Sequence, residues 1–189
     1  MFNTRSKKGQ ALIEAMVAIS VLTVSFLGIV SLLSKSIFYG RDVSDNMKAT
    51  YLASEGIEIA KNLIDNDIAA GNGWGSCFAK YLASYPSYKE ASFEMDYATT
   101  CDNLNGLFYT YPGDSLYFDP MTDLYGYESN NSVGSDAVET NFARRIRIQV
   151  PTSGNGNEIT VISSVTWSTG PITYQKVDME DHFYNLQSQ

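Results

Sequence analysis

The stretch that decides the fold is Gly9-Gln10-Ala11-Leu12-Ile13-Glu14-Ala15-Met16-Val17-Ala18-Ile19-Ser20-Val21-Leu22-Thr23-Val24-Ser25-Phe26-Leu27-Gly28-Ile29-Val30-Ser31-Leu32-Leu33-Ser34. The 20 residues from Ala15 to Ser34 carry no charge. As a helix they measure about 30 Å, the thickness of a bilayer's hydrocarbon core. A secretory signal peptide has a shorter apolar region and ends at a small-residue cleavage site, which does not follow here. A lipoprotein anchor needs a cysteine just after the run, and the cysteines, Cys77 and Cys101, lie far downstream. The stretch therefore reads as a retained membrane-spanning helix, with a buried helix of a soluble protein as the alternative. Arg5, Lys7 and Lys8 precede it, and Lys35, Arg41 and Lys48 follow it, so the simple charge count is even. The N-terminal set is denser and unopposed by acids, which tilts the reading toward an N-terminus on the inner side without fixing it.

One carboxylate interrupts the apolar region. Glu14 has apolar neighbours on both sides, and a carboxylate at a bilayer centre costs roughly 2.5–3.5 kcal/mol on insertion scales. Two readings are open. The positive end of the helix dipole stabilises Glu14 by about 0.3–1 kcal/mol, or its partner comes from another chain. Ala11, Ala15, Ala18 and Ser25 fall near one helix face, which allows close approach of helices.

Lys7-Lys8-Gly9, then Gln10-Ala11-Leu12-Ile13-Glu14, then the apolar run, resembles the class III signal of type IV prepilins. The resemblance implies a basic leader, residues 1–9, removed by a prepilin peptidase that cuts after Gly9 and methylates the new N-terminal Gln10. It also implies that Glu14, fifth in the mature chain, pairs with the Gln10 amine of a neighbouring subunit during filament assembly. Gln10 and Ala11 depart from the Phe-Thr or similar pair usual in the family. Leu12-Ile13-Glu14 followed by Met16-Val17-Ala18 resembles some minor pilins. The implied partners are other pilin subunits, the peptidase, the pilus assembly platform and the membrane. The implied location is a single pass through the inner membrane, then an extracellular filament. A type II secretion pseudopilin shares this N-terminal logic, and a single-pass adhesin or binding protein that never polymerises is the rival from another class.

Helical periodicity continues past the apolar run while the composition turns polar. Ala49, Leu52, Gly56, Ile59 and Leu63 recur at steps of three and four, with Asp45, Lys48, Glu55, Glu58, Lys61 and Asp65 on other faces. The expected helix is long: residues 10–34 form its membrane-spanning or filament-core half and residues 35–70 its amphipathic half. It stops by Gly71-Asn72-Gly73. Gly28 and Gly40 are candidate points of bending, each costing about 1 kcal/mol relative to Ala in a helix interior.

Residues 71–189 read as a globular head. Residues 71–104 have weak periodicity and are expected as a loop region holding Cys77 and Cys101, which pair as a disulfide in an oxidising compartment. From Leu107 onward the reading is β. Leu107–Tyr111 and Ser115–Phe118 flank the turn Pro112-Gly113-Asp114. Phe142, Ile146, Ile148 and Val150 alternate with Arg145, Arg147 and Gln149. Val161, Val165 and Trp167 alternate with Thr160, Ser164 and Thr166, and Ile162 with Ser163 reads as a break in that pattern. A further strand covers Ile172–Val177. Connections this short give an antiparallel sheet, one face on the helix and one in water. The fold class is therefore α+β.

Composition excludes several functions. The chain has 189 residues and a formal net charge of −8, against generic binding to nucleic acid, which needs clustered Lys and Arg. One histidine, His182, and two cysteines exclude multi-histidine and four-cysteine zinc sites. No P-loop, His-Glu-x-x-His or nucleophile motif occurs, so no enzymatic activity and no cofactor are expected. Asp119, Asp123, Glu128 and Asp136 cluster in a turn-rich segment, a weak calcium alternative that lacks the spacing of a calcium loop.

Overall fold

The computed structural model describes residues 6–83, 90–104, 106–107, 114–128, 132–150, 158–170 and 173–185. The fold is α+β. Helix α1 (Ser6–Ala69) is followed by α2 (Ser76–Ala83) and strands β1 (Glu90–Phe93), β2 (Gly106–Leu107), β3 (Ser115–Asp119), β4 (Leu124–Gly126), β5 (Val138–Gln149), β6 (Glu158–Ser168) and β7 (Tyr174–Tyr184). Contacts divide the chain into two compact units, Met1–Asp45 and Asn46–Gln189.

In the N-terminal unit α1 is unbroken, and every large apolar side chain from Leu12 to Leu33 is exposed. Gly28 and Gly40 interrupt neither the helix nor its surface. Four hydroxyls within the run are satisfied locally. Ser20 donates to the Met16 carbonyl (2.7 Å), Ser25 to Val21 (2.8 Å), Ser34 to Val30 (3.0 Å) and Thr23 to Ser20 (2.9 Å). Such bonds remove the demand for water, so these residues are compatible with hydrocarbon.

In the second unit, the expected stripe of α1, Ala49, Leu52, Gly56, Ile59 and Leu63, is buried, and Ala53, Ala60 and Ile64 widen it. The helix ends where expected. Gly71, Gly73 and Gly75 all take positive φ (75°, 99° and 61°), a left-handed conformation that glycine adopts without steric cost. At Gly75 a Cβ would also strike Ile159.

All strand pairs are antiparallel. Long β5 carries β6 on one edge; its other edge is shared by β3, through residues 138–143, and β1, through residues 146–149. β4 extends the sheet beyond β3, β2 beyond β1, and β7 beyond β6. Three expectations about where elements lie change. Residues 71–104 are not all loop, because Phe78 of α2 and Phe93 of β1 enter the core with ring centroids 5.7 Å apart. Leu107 pairs with Ser92 of β1 rather than starting a hairpin with residues 115–118; residues 108–113 lie outside the described residues. The last strand reaches Tyr184, well past Val177.

Helix and sheet enclose two apolar clusters. One gathers Ile59, Leu63, Phe78, Phe93, Ile146, Ile148, Ile159 and Val161. The other gathers Ala49, Leu52, Leu116, Tyr127, Phe142, Val165 and Trp167. Between them in sequence, on all three facing elements, sit Gly56, Arg144 and Ser163. Ser163 does not break the alternation of β6. It occupies the core-facing parity with Ile159, Val161, Val165 and Trp167, and is fully buried. A Cβ on Gly56 would lie 2.4 Å from Ser163 Oγ and 3.1 Å from Arg144 Cδ, so glycine and serine together allow a close helix–sheet approach.

Candidate functional site

Gly9, Gln10 and Glu14 lie within one and a half turns of α1, and all three are exposed. Gln10 and Glu14 are four residues apart and so share a helix face. A Cβ on Gly9 would meet nothing within 4 Å, so no packing requires glycine there. The apolar surface that follows is continuous around the helix. Among the described residues, one helix is long and apolar enough to cross a membrane.

The second sequence-derived pair also comes together. The Sγ atoms of Cys77 and Cys101 lie at disulfide distance, with Cα atoms 5.5 Å apart and a sequence separation of 24. Beside them is a residue the sequence did not announce. Asp67 is buried near the end of α1; its Oδ2 accepts the Cys77 N–H at 2.6 Å and its Oδ1 lies 3.7 Å from Cys101 Sγ. Cys77 is the second residue of α2, so Asp67 caps that helix from a distance.

Arg144 is the other unannounced residue. It is fully buried. Its Nη1 donates to the Leu52 carbonyl at 3.1 Å and meets Glu55 Oε2 at 3.2 Å, while Nη2 donates to the Met95 carbonyl at 2.8 Å. The Tyr127 hydroxyl donates to the Arg144 carbonyl at 2.7 Å, and burial pushes the Tyr127 pKa up, so it remains a donor. This network ties α1, β5 and the segment after β1 across the polar gap between the two clusters.

Close to this network is a cleft of about 450 Å³, lined by Glu55, Glu58, Asn62, Asn66, Asp96 and Tyr97 among others. Its buried carboxylate, Asp96, accepts from Tyr127 N (3.0 Å), Ser132 Oγ (2.6 Å), Ala98 N (3.1 Å) and Thr99 Oγ1 (3.1 Å), and so holds two loops together.

His182 lies on the outer face of the sheet. Its Nδ1 is 2.6 Å from Glu158 Oε1 and its Nε2 is 3.0 Å from Glu180 Oε1. The Glu158 contact leads in raising its pKa above the usual histidine value. Both ring nitrogens face carboxylates, an arrangement that favours the charged imidazolium form. A general base needs one nitrogen free to accept a proton, and Thr160 Oγ1, 3.3 Å away, approaches the same Nδ1 that faces Glu158. The weak calcium alternative is not supported. Asp119 spends its carboxylate on the amides of Met121 (2.8 Å) and Gly134 (3.2 Å), which hold its pKa below the usual value. Asp119, Asp123, Glu128 and Asp136 do not converge: among the described residues the one group of three or more ligand-bearing side chains within reach of a common ion is Asp67, Cys77 and Cys101. Comparison of the chain with protein-family models, with curated proteins and with solved structures gives no match.

Proposed function

We propose that this chain is a prepilin-like structural subunit of a type IV pilus or related filament, without enzymatic activity. In this reading it is made with a leader, residues 1–9, cleaved after Gly9, held in the inner membrane by the first half of α1, and then added to an extracellular filament. The carrying observation is the conjunction at one end of one helix: basic residues, Gly9, Gln10, Glu14, and then an uncharged run whose large side chains are exposed and in which four hydroxyls bond internally. The packing of residues 49–64 against an antiparallel sheet supports it, because it gives the same helix a folded head to display. The minor-pilin resemblance at Leu12–Ala18 makes a minor subunit the narrower form of the proposal.

The test is the intact mass and N-terminus of protein from its native membrane. The expected chain begins at Gln10 and, having lost Arg5, Lys7 and Lys8, moves in formal charge from −8 to −11. Replacing Gly9 with a bulky residue should retain the leader. A native N-terminus at Met1 or Phe2 overturns the proposal and favours a single-pass protein that never polymerises. Glu14→Gln separates membrane anchoring from assembly. It leaves insertion and cleavage intact, but strands the buried Gln10 amine of a neighbour, a loss of about 3–5 kcal/mol for one side of a buried pair. The variant should be found in membranes and depleted from sheared filaments. Normal incorporation would leave Glu14 as a helix-dipole residue only.

A further inference from the structure

We infer that Asp67, Cys77 and Cys101 form a thiophilic divalent-metal site in the reduced chain, and that closing the disulfide expels the ion. The ligand atoms already lie within 4.8 Å of one another. A tetrahedral zinc with Zn–S near 2.3 Å and Zn–O near 2.1 Å separates a thiolate from a carboxylate oxygen by about 3.6 Å and two thiolates by about 3.8 Å. The observed separation of Asp67 Oδ1 from Cys101 Sγ is 3.7 Å, so this edge of the tetrahedron needs no movement. The two sulfurs must part, by about the difference between a bond and a van der Waals contact, and Cys77 Sγ starts within 4.8 Å of the Asp67 carboxylate.

Three features prepare the site. Asp67 Oδ2 is held by the Cys77 N–H at 2.6 Å, which leaves Oδ1 to ligate and fixes its direction, as outer-shell hydrogen bonds do in metal centres. Cys77 stands in the first turn of α2, where the helix N-terminus favours the thiolate. Cys101 is exposed, so solvent reaches the site and completes the coordination. The ligand-bearing segments are also held by contacts other than the disulfide. Asn72 N–H donates to the Asp67 carbonyl, Phe78 of α2 is buried against Phe93, and the Cys101 turn is fixed by Thr100 N–H to Asn103 Oδ1 (2.6 Å) and Asn103 Nδ2 to the Ala98 carbonyl (3.2 Å). They stay in place when the sulfurs separate.

The chemistry balances with a phosphine as reductant. Phosphine, water and the Cys77–Cys101 disulfide give phosphine oxide and two thiols; the S–S bond breaks and phosphorus is oxidised. A divalent ion then displaces one proton from each thiol to solvent, while the Asp67 carboxylate binds without losing one. Exchange with a small-molecule disulfide as oxidant closes the bridge: the two thiolates become the Cys77–Cys101 disulfide, the oxidant's S–S bond breaks and it leaves as two thiols with two protons taken from solvent, and the loss of two of three protein ligands releases the ion.

The experiment titrates Co²⁺ into the full chain in detergent, phosphine-reduced or oxidised, with Zn²⁺ as competitor. The expected result is one equivalent of Co²⁺ bound only after reduction, with thiolate-to-cobalt charge transfer and the strong visible bands of tetrahedral cobalt. Zn²⁺ should abolish both. Cys77→Ser with Cys101→Ser should remove the signal. Asp67→Asn should weaken binding at least tenfold while keeping charge transfer, which separates a built site from two thiols on a loosened chain. Absence of charge transfer in the reduced chain, equal binding by the oxidised chain, or equal affinity of wild type and Asp67→Asn overturns the inference.

Discussion

Glu55 should matter more to stability than Arg144, although Arg144 is the fully buried partner. Their side chains are 34% and 0% exposed, and their charged atoms are 3.2 Å apart. At an effective dielectric near 20 the gross attraction over that distance is about 5 kcal/mol, and desolvation offsets much of it. The two truncations leave different remainders. Glu55→Ala strands a guanidinium that cannot deprotonate in the core, with only the Leu52 and Met95 carbonyls as acceptors. That is the costly side of a broken pair, about 3 kcal/mol, near the lower end of the 3–5 kcal/mol range because Glu55 is partly solvated. Arg144→Met removes the buried charge and keeps most of the volume. Glu55 then turns to water, the Leu52 carbonyl keeps its helical hydrogen bond, and the Met95 carbonyl is left short, for about 1–2 kcal/mol in all.

The assay is urea unfolding of the full chain in detergent, followed by tryptophan fluorescence. Urea leaves the ion pair unscreened, unlike guanidinium chloride. With a slope of about 1–3 kcal/mol per molar, Glu55→Ala should lower the midpoint by about 1–3 M, and Arg144→Met by clearly less. The double variant should be no less stable than Arg144→Met alone. If Arg144→Met costs as much as Glu55→Ala, or more, the charge-burial argument fails and the guanidinium's backbone contacts carry the site instead.

Two further outcomes follow from the same unit. Gly56→Ala gains about 1 kcal/mol of helix propensity but drives a methyl to 2.4 Å from Ser163 Oγ, an overpacking that typically costs about 1–3 kcal/mol; a net loss is expected, relieved by Ser163→Gly in a double-mutant cycle, and a stabilised single variant would show that the helix shifts freely. His182, bracketed by Glu158 and Glu180, has its pKa raised above the ordinary value of 6.5, so its contribution to stability is complete below pH 6.5 and lost as pH rises through the folded-state value. NMR titration of the ring should show the raised value and its fall in Glu158→Gln, whereas an ordinary value in the wild type would mean that the two carboxylates do not hold the ring.

The parts legible in the sequence are those set by long, simple periodicities. The charge-free run, the three-and-four spacing from Ala49 to Leu63, and the alternation in β5 and β6 each report one physical effect, apolar burial, repeated many times. What escapes a reading of the sequence depends on one residue contradicting its own pattern. Arg144 has the parity of Phe142 and Ile146, so alternation alone puts it in the core. Its charge argues the other way, and the acceptors that reconcile the two come from Leu52, Glu55 and Met95, far away in sequence. Ser163 resembles a break for the complementary reason: a small polar residue faces the core only where Gly56 brings the helix close. Asp67 is one acid among several on α1, and only the fold brings the N-terminus of α2 to its carboxylate. α2 and β1 are hidden because eight and four residues are too few to establish a period.

The same weighing of magnitudes assigns separate tasks to the two kinds of residue at the N-terminus. From Leu12 to Leu33 fourteen large apolar side chains are exposed. Covering them at about 1.5–3 kcal/mol each is worth on the order of 20–40 kcal/mol. Against that sum a carboxylate costing roughly 2.5–3.5 kcal/mol at the bilayer centre cannot keep the helix in water. Apolar burial therefore determines that the helix leaves water, but it does not choose between lipid and a bundle of like helices. Lipid tails are as apolar as leucine, so hydrophobic transfer between the two environments is nearly neutral. A few kcal/mol then decide, and on the proposed function Glu14 is the group that carries them. In lipid its charge is a cost; beside a neighbour's terminal amine that cost is offset. On the proposed function, the apolar run supplies the anchoring and Glu14 the preference for a filament over the bilayer, which is why Glu14→Gln is expected to spare the first and abolish the second.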